Sequence, residues 1–113
     1  MKALSDYFAA RIEECAVEEA RLNAEDRKDE AVFAKIRGNV FDIFRTVYAA
    51  GVKAVGQERA AGFLREKLDT IPQSWETALE KARAHGEADK VCIETVKLEA
   101  VREIKDWLGR NCE

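Results

Sequence analysis

Hydrophobic residues recur every three or four positions along most of the chain, the spacing that places them on one face of an α-helix. Polar stretches, glycines and the single proline interrupt this pattern. The pattern predicts five helices, over residues 5–22, 27 to 50 or 55, 57–69, 72–85 and 87–109. Because short connections join antiparallel neighbours, we expect these helices to form a compact bundle.

The second predicted helix has the widest apolar face. Counted at 100° per residue from Phe33, its hydrophobic residues fill an arc of roughly 200°, against about 100° for a helix that covers one side of a core. Such a helix must be buried on two sides. Either it runs through the centre of the bundle, or its second face meets another chain, in an interface expected to contain Phe41, Phe44, Tyr48 and Val52.

Capping residues and glycines predict where the helices end. Asp26 is placed to cap the start of the second helix. Gly51 and Gly56 are expected to end or bend that helix, since glycine costs a helix interior about 1 kcal/mol relative to alanine. Gly86 is expected to stop the fourth helix and Gly109 to cap the fifth.

The composition agrees with an all-α fold. One residue in 113 is proline, 47% are hydrophobic and 36% are charged, which is too apolar for a disordered chain and too charged for a membrane protein. A chain of this length usually forms one domain. We therefore expect a single helical domain over residues 1–113, a compact bundle of about five helices with a long central second helix.

The distribution of charge limits the partners and the compartment. The formal net charge is −3, which opposes binding to a phosphate backbone, so nucleic acid is not an expected partner. Residues 1–30 carry five basic and nine acidic residues and residues 31–70 carry seven and four, so the first segment could complement the second. Near the start of the sequence, Asp6, Glu13 and Glu14 interrupt the apolar stretch that a signal peptide would need, and no run of 18 apolar residues occurs. We expect a cytoplasmic protein with no membrane partner.

The cysteines and the single histidine give no sign of a catalytic or metal site. Cys15, Cys92 and Cys112 are far apart, without CxxC spacing or a nearby histidine, so neither disulfides nor zinc are predicted. Cys15 and Cys92 are expected in the core and Cys112 at the surface. His85 is expected to stabilise the end of the fourth helix, and no nucleophile accompanies it. No catalytic residue, metal or cofactor is predicted.

Four charged residues interrupt the apolar faces and are the candidate ligand-binding residues. They are Arg11 and Glu18 in the first helix, Arg37 in the second and Lys97 in the fifth. An unpaired buried charge costs several kcal/mol, which leaves three alternatives. The side chains extend to water at the rim of the core, they form ion pairs such as Glu18 with Arg37, or the three cations line a pocket for an anionic ligand.

An acidic run in the first helix suggests a further alternative. Glu14 and Glu18 lie four residues apart and face the same way. With Glu13 they resemble the Glu-Glu-x-x-Glu motif of MazG-type helical nucleotide pyrophosphohydrolases, whose metal site also uses a Glu-x-x-Asp motif. Here the run is one residue longer, and Glu66 and Asp69 follow more than forty residues later. The resemblance implies a metal-dependent nucleotide phosphohydrolase, whereas the residues alone favour a solvated acidic face.

Together these observations favour a small, non-catalytic interaction protein that self-associates or binds another protein. The absence of a catalytic constellation and the excess apolar surface of the second helix support this interpretation. A helical bundle that binds a small anionic ligand is the alternative, and the metal-dependent phosphohydrolase is the least favoured.

Overall fold

Five α-helices make up the computed structural model of the protein, which describes residues 2–111. They are α1 (Lys2–Ala24), α2 (Lys28–Val55), α3 (Ala60–Thr70), α4 (Gln73–Ala84) and α5 (Ala88–Asn111). The described part of the chain contains no strand. The predicted all-α bundle with a long second helix is therefore confirmed. No helix within residues 2–111 is long and apolar enough to cross a bilayer.

α2 lies at the centre of the bundle. It packs against α1, α3 and α5, and α4 packs on α5. Phe41 and Phe44 of α2 are fully buried together with Phe8 of α1, Leu64 of α3 and Ile104 of α5. Each such side chain contributes roughly 1.5–3 kcal/mol by leaving water. The two-sided burial predicted for this helix is thus achieved within one chain.

Small residues bring α1 and α2 close together. A Cβ atom added to Gly38 would lie 3.1 Å from Cβ of Cys15. Nearer the turn between these helices, Leu22 packs against Ala31 and Ala34 in a separate cluster of buried residues. The α1-facing side of α2 is therefore the side that carries Ala31, Ala34 and Gly38.

The turn between α1 and α2 differs from the prediction. Asp26 does not cap α2: it has a left-handed backbone (φ 59°), and Arg27 occupies the cap position without a side-chain cap hydrogen bond. The Arg27 N–H donates to the Leu22 carbonyl (2.8 Å) and the Asp26 N–H to that of Asn23 (3.1 Å). This is a Schellman ending of α1, in which aspartate takes the position that glycine usually occupies.

Glycine ends two of the helices, as predicted. Gly56 ends α2 with a φ of 86°, and its N–H donates to the Val52 carbonyl. Gly86 follows α4 with a φ of 68°. Beside it, His85 Nδ1 lies 2.7 Å from the Lys81 carbonyl oxygen, which agrees with the predicted role of His85 at this helix end.

Gly51 and Gly109 were both expected near helix ends but lie inside helices, whereas the alternative end of α2 at residue 55 is confirmed. Gly51 does not end α2 but is buried inside it, where an added Cβ would lie 2.6 Å from Cδ1 of Phe63 in α3. Gly109 lies inside α5, which continues to Asn111. α1 also begins at Lys2, before the predicted start at residue 5. Gly51 is required by the close approach of a neighbouring helix, which local sequence does not reveal.

Candidate functional site

Arg11 joins the two helices at opposite ends of the chain. Its Nε and Nη2 atoms each donate a hydrogen bond of 3.1 Å to the Glu103 carboxylate of α5, and Nη1 bonds to Glu14. The guanidinium carbon lies 5.0 Å from the centre of the Phe41 ring. Burial opposes the charge of Arg11, but Glu103 and Glu14 raise its pKa overall. Arg11 is therefore an ion-paired residue at the rim of the core.

Tyr7 lies one turn before Arg11 and meets the same end of α5. Its ring stacks on that of Trp107 with centroids 4.5 Å apart. The Tyr7 hydroxyl is buried beside the Glu103 carboxylate and the Arg11 guanidinium, but no described residue meets it with the distance and angles of a normal hydrogen bond. Burial raises the pKa of this phenol, and the negative charge of Glu103 raises it further. The junction of α1 and α5 thus contains an unsatisfied hydroxyl group.

Three of the four candidate ligand-binding residues lie near enough to Cys15 to affect the pKa of its thiol. Burial raises the pKa of the Cys15 thiol, the charges of Arg11 and Arg37 lower it, and that of Glu18 raises it. Glu18 is exposed and Arg37 half-buried. The predicted ion pair between Glu18 and Arg37 is not formed among the salt bridges of the structure. These residues therefore lie near one another without forming a closed site.

Lys97, the fourth candidate, has its partners on α4 and α5. Its Nζ atom lies 3.2 Å from the carboxylate of Glu94, which is only 9% exposed, and 5.5 Å from the centre of the Trp75 ring. The charges of Arg11 and Lys97 are thus already balanced by separate carboxylates. The suggested pocket formed by Arg11, Arg37 and Lys97 has no support in this geometry.

The aromatic residues predicted to form an interface lie in the core of the monomer. Phe41, Phe44 and Tyr48 are buried, and Val52 is half-buried against the same cluster. The Tyr48 hydroxyl accepts a hydrogen bond of 2.6 Å from Nε2 of Gln57. Phe41, Phe44 and Tyr48 cannot contact a second chain while the bundle is folded, which corrects the predicted interface at these three positions. Val52 remains partly exposed.

The cysteine and acidic-run predictions have mixed outcomes. Cys15 is buried as predicted, but Cys92 is exposed, and Cys112 lies outside the described residues. Within residues 2–111 no three histidine, cysteine, aspartate or glutamate side chains are close enough to hold a metal ion. Glu13, Glu14 and Glu18 therefore acquire no partner from Glu66 or Asp69, and the ligand set implied by the pyrophosphohydrolase resemblance is not assembled.

A row of apolar side chains on α2 remains uncovered. Val32 and Ile43 are 48% and 40% exposed, and Ile36 and Val47 are half-buried. At 100° per residue the four lie within about 60° of one another around α2. Ile43 lies about 140° around the helix from Gly38, so this row faces away from α1. We call these four residues the α2 stripe.

A groove between α2 and α3 continues the α2 stripe. Val47 and Ala50 form one wall and Phe63, Lys67, Thr70 and Ile71 the other. The Lys67 ammonium group lies 5.4 Å from the centre of the Phe63 ring. The positive charge of Lys67 therefore lies at the edge of an apolar surface. We call this feature the Phe63 groove.

Lysines follow one edge of the α2 stripe. Lys28, Lys35 and Lys53 are exposed and lie about 60° to 80° from Ile43, all on the same side. None of them forms a salt bridge with a described residue. The uncovered surface is therefore apolar along its centre and carries lysines along its α1-side edge, where Lys35 also lines a depression with Glu19 and Asp42.

The acidic residues of α2 do little to offset these lysines. Glu30 and Asp42 are paired with arginines within the chain. Asp29 is exposed at the first turn, so its charge lies at one end of the stripe. The sequence showed the apolar arc of α2, but only the packing of α1, α3 and α5 decided which part of the arc stayed uncovered.

Comparison of the chain with protein-family models, with curated proteins and with solved structures finds no match.

Proposed function

We propose that the protein is a non-catalytic helical interaction module that self-associates through the α2 stripe and the Phe63 groove. The observation that carries this proposal is the row of four apolar side chains on α2, of which Val32 and Ile43 are exposed and Ile36 and Val47 half-buried. Between Val32 and Ala50 this surface extends over about 27 Å, since each helical residue adds about 1.5 Å. Apolar side chains at such a spacing are the surface on which another helix packs.

The chemistry of the other candidate residues also favours an interaction module. Arg11 is paired with Glu103, which joins α1 to α5, and Lys97 is paired with Glu94 within α5. Neither pair offers a reactive group. The cytoplasm is the proposed compartment, because free thiols such as Cys92 stay reduced there.

Sedimentation velocity from about 1 to 200 µM under reducing conditions tests the proposal. Association buries only a few half-exposed side chains and must offset the lost freedom of two bodies, so we expect it in the micromolar range. The double variant Val32→Gln, Ile43→Gln should need at least about a tenfold higher concentration to associate.

Val55→Gln is the matched control. Val55 is 41% exposed, like Ile43, but lies about 120° from it around α2. This variant should associate as the unmodified protein does. A monomer at every concentration for the unmodified protein, or equal loss of association in the control, would reject the α2 stripe as the interface.

A further inference from the structure

A second exposed apolar surface lies on the outer side of α1. Val17 is 62% exposed, more than any other large apolar residue among those described. Ala10, Glu13, Glu14, Glu18 and Arg21 surround it in a shallow depression. We call this surface the α1 face. It combines a central valine with three carboxylates.

The α1 face and the α2 stripe point in opposite directions. Cys15 of α1 packs against Gly38 of α2, which fixes the sides on which the two helices meet. Val17 lies about 160° around α1 from Cys15, and Ile43 about 140° around α2 from Gly38. One copy of the chain therefore presents the two surfaces on opposite sides of its α1–α2 pair.

The charges of these two surfaces are complementary. On the α1 face, Glu13 and Glu18 form no salt bridge with a described residue, and the one basic residue, Arg21, is bonded to Glu25. The α2 stripe has an edge of exposed lysines, Lys28, Lys35 and Lys53. Opposite charges across an interface favour the pairing of two surfaces and set their orientation.

A contact between two α2 stripes has the opposite electrostatics. In a two-fold symmetric pair of antiparallel helices, each edge of one helix lies along the same edge of its partner. The lysines of the two copies would then face one another, and like charges brought together oppose association. The charge pattern thus disfavours a symmetric antiparallel α2–α2 dimer.

We propose that the α1 face of one copy docks on the α2 stripe of the next, with Val17 set among the stripe's apolar residues and Glu13 and Glu18 beside its lysines. This inference rests on the proposed self-association and names its second surface. Because the contact is head-to-tail, each added copy leaves one α1 face and one α2 stripe free. The expected assembly is an open chain of copies, which lengthens with concentration.

Two variants separate a head-to-tail contact from a symmetric one. Val17→Gln removes the centre of the α1 face, and Val32→Gln with Ile43→Gln removes the centre of the α2 stripe. Since each change removes apolar contact, each variant alone should need at least about a tenfold higher concentration to associate. A mixture should form a 1:1 dimer, in which the intact stripe of the first variant holds the intact α1 face of the second.

Sedimentation velocity of each variant and of their mixture, with circular dichroism to verify folding, gives the readout. We also expect association of the unmodified protein to weaken from 50 to 500 mM NaCl, because salt screens exposed charges. If the unmodified protein associates and Val17→Gln associates equally well, the head-to-tail contact is wrong although self-association stands. If the unmodified protein stays monomeric, both proposals fall.

Vesicles test a lipid surface as the other occupant of a lysine-edged apolar stripe. The protein should stay in the supernatant with phosphatidylserine and phosphatidylcholine vesicles as it does without them. If the protein pellets with the anionic vesicles and the Val32→Gln, Ile43→Gln variant does not, the α2 stripe binds membranes. That result would overturn the head-to-tail assembly.

Discussion

The Tyr7 side chain shows how a single residue can both stabilise and destabilise this bundle. Its ring stacks on Trp107 and meets Phe41 edge-on, and such aromatic contacts contribute about 0.5–1.5 kcal/mol beyond their buried area. Its hydroxyl is buried beside Glu103 and Arg11 without a hydrogen bond of normal geometry in the described part of the chain, and a buried hydroxyl left unsatisfied costs about 1–3 kcal/mol. The ring and the hydroxyl therefore act in opposite directions.

Replacing Tyr7 by phenylalanine should raise the free energy of unfolding by about 1 kcal/mol, because the ring stays and the unsatisfied hydroxyl is removed. Urea denaturation at pH 7 measures this change. Tyr48→Phe is the control, since its hydroxyl accepts a hydrogen bond from Gln57; it should lower stability by about 1 kcal/mol. Loss of stability in Tyr7→Phe would show that the hydroxyl is bonded in solution.

The same variant reports on the pKa of the phenol. The pKa of Tyr7 in the folded protein lies above its ordinary value, chiefly because of burial. The folded state therefore holds the proton more tightly than the unfolded state, and the associated stability is lost as the pH rises above about 10. The unmodified protein should lose stability between pH 9 and 11 more steeply than Tyr7→Phe.

At the scale of elements, glycine positions decide how closely α2 approaches its neighbours. Gly38 admits the Cys15 side chain of α1, and Gly51 admits the Phe63 ring of α3. Gly62 of α3 faces open space. Glycine in a helix is unfavourable by about 1 kcal/mol relative to alanine, so Gly51 is kept where helix packing leaves no room for a Cβ.

Gly51→Ala should therefore destabilise the protein and Gly62→Ala should stabilise it. A Cβ at Gly51 would lie 2.6 to 3.3 Å from three atoms of Phe63, including its own Cβ, and such overpacking typically costs about 1–3 kcal/mol. The Gly62 variant should gain up to about 1 kcal/mol from helix propensity. Thermal and urea unfolding compare the two; a gain of similar size in both would show that α3 shifts freely.

At the scale of the whole molecule, a few side chains connect the two ends of the chain. α1 packs mainly on α2, and its links to α5 include the Arg11–Glu103 ion pair and the Tyr7–Trp107 stack. Arg11 is about one-quarter exposed and Glu103 less than half. A bidentate ion pair in this setting is stronger than an ordinary surface pair.

Arg11→Met should lower the free energy of unfolding by about 1 kcal/mol, because methionine keeps an apolar side chain near Phe41 but removes the hydrogen bonds to Glu103. Amide exchange in residues 103–111 should accelerate, since this end of α5 loses a link to α1. Arg21→Met, which removes an exposed pair with Glu25, should change stability by less than about 0.5 kcal/mol. Equal effects of the two changes would contradict a connecting role for Arg11.

Features that depend on neighbours along the chain were predictable. The spacing of apolar residues predicted five helices. Gly56 and Gly86 marked two of the helix ends, because a backbone position with a positive φ favours glycine. Gly51 also suggested a helix end, but glycine is needed there because the Phe63 ring leaves no room for a Cβ atom. Aspartate is common at the N-cap of a helix, but Asp26 instead takes the left-handed position that ends α1. The error at Gly51 arises because a tertiary contact decides its place, whereas the error at Asp26 arises because two local roles, an N-cap and a left-handed helix ending, suit the same residue type.

The candidate charges were found from the sequence, but their partners were not. Arg11 and Lys97 interrupt apolar faces, a pattern that requires them to be paired or hydrated. Glu103, the partner of Arg11, is 92 residues away along the chain, and periodicity carries no information about which helices meet. Glu94 is a buried carboxylate that the sequence analysis missed, although its three-residue spacing from Lys97 was a usable signal.

The sequence by itself determined the helices and the presence of more apolar surface on α2 than one neighbour could cover, because both follow from the order of residues along a single helix. Only the tertiary structure decided which part of that surface is buried. α1, α3 and α5 cover Phe41, Phe44 and Tyr48 and leave Val32 and Ile43 exposed. The physical reason is that burial depends on how helices from distant parts of the chain pack together, and a helix has the same pattern whichever neighbours cover it.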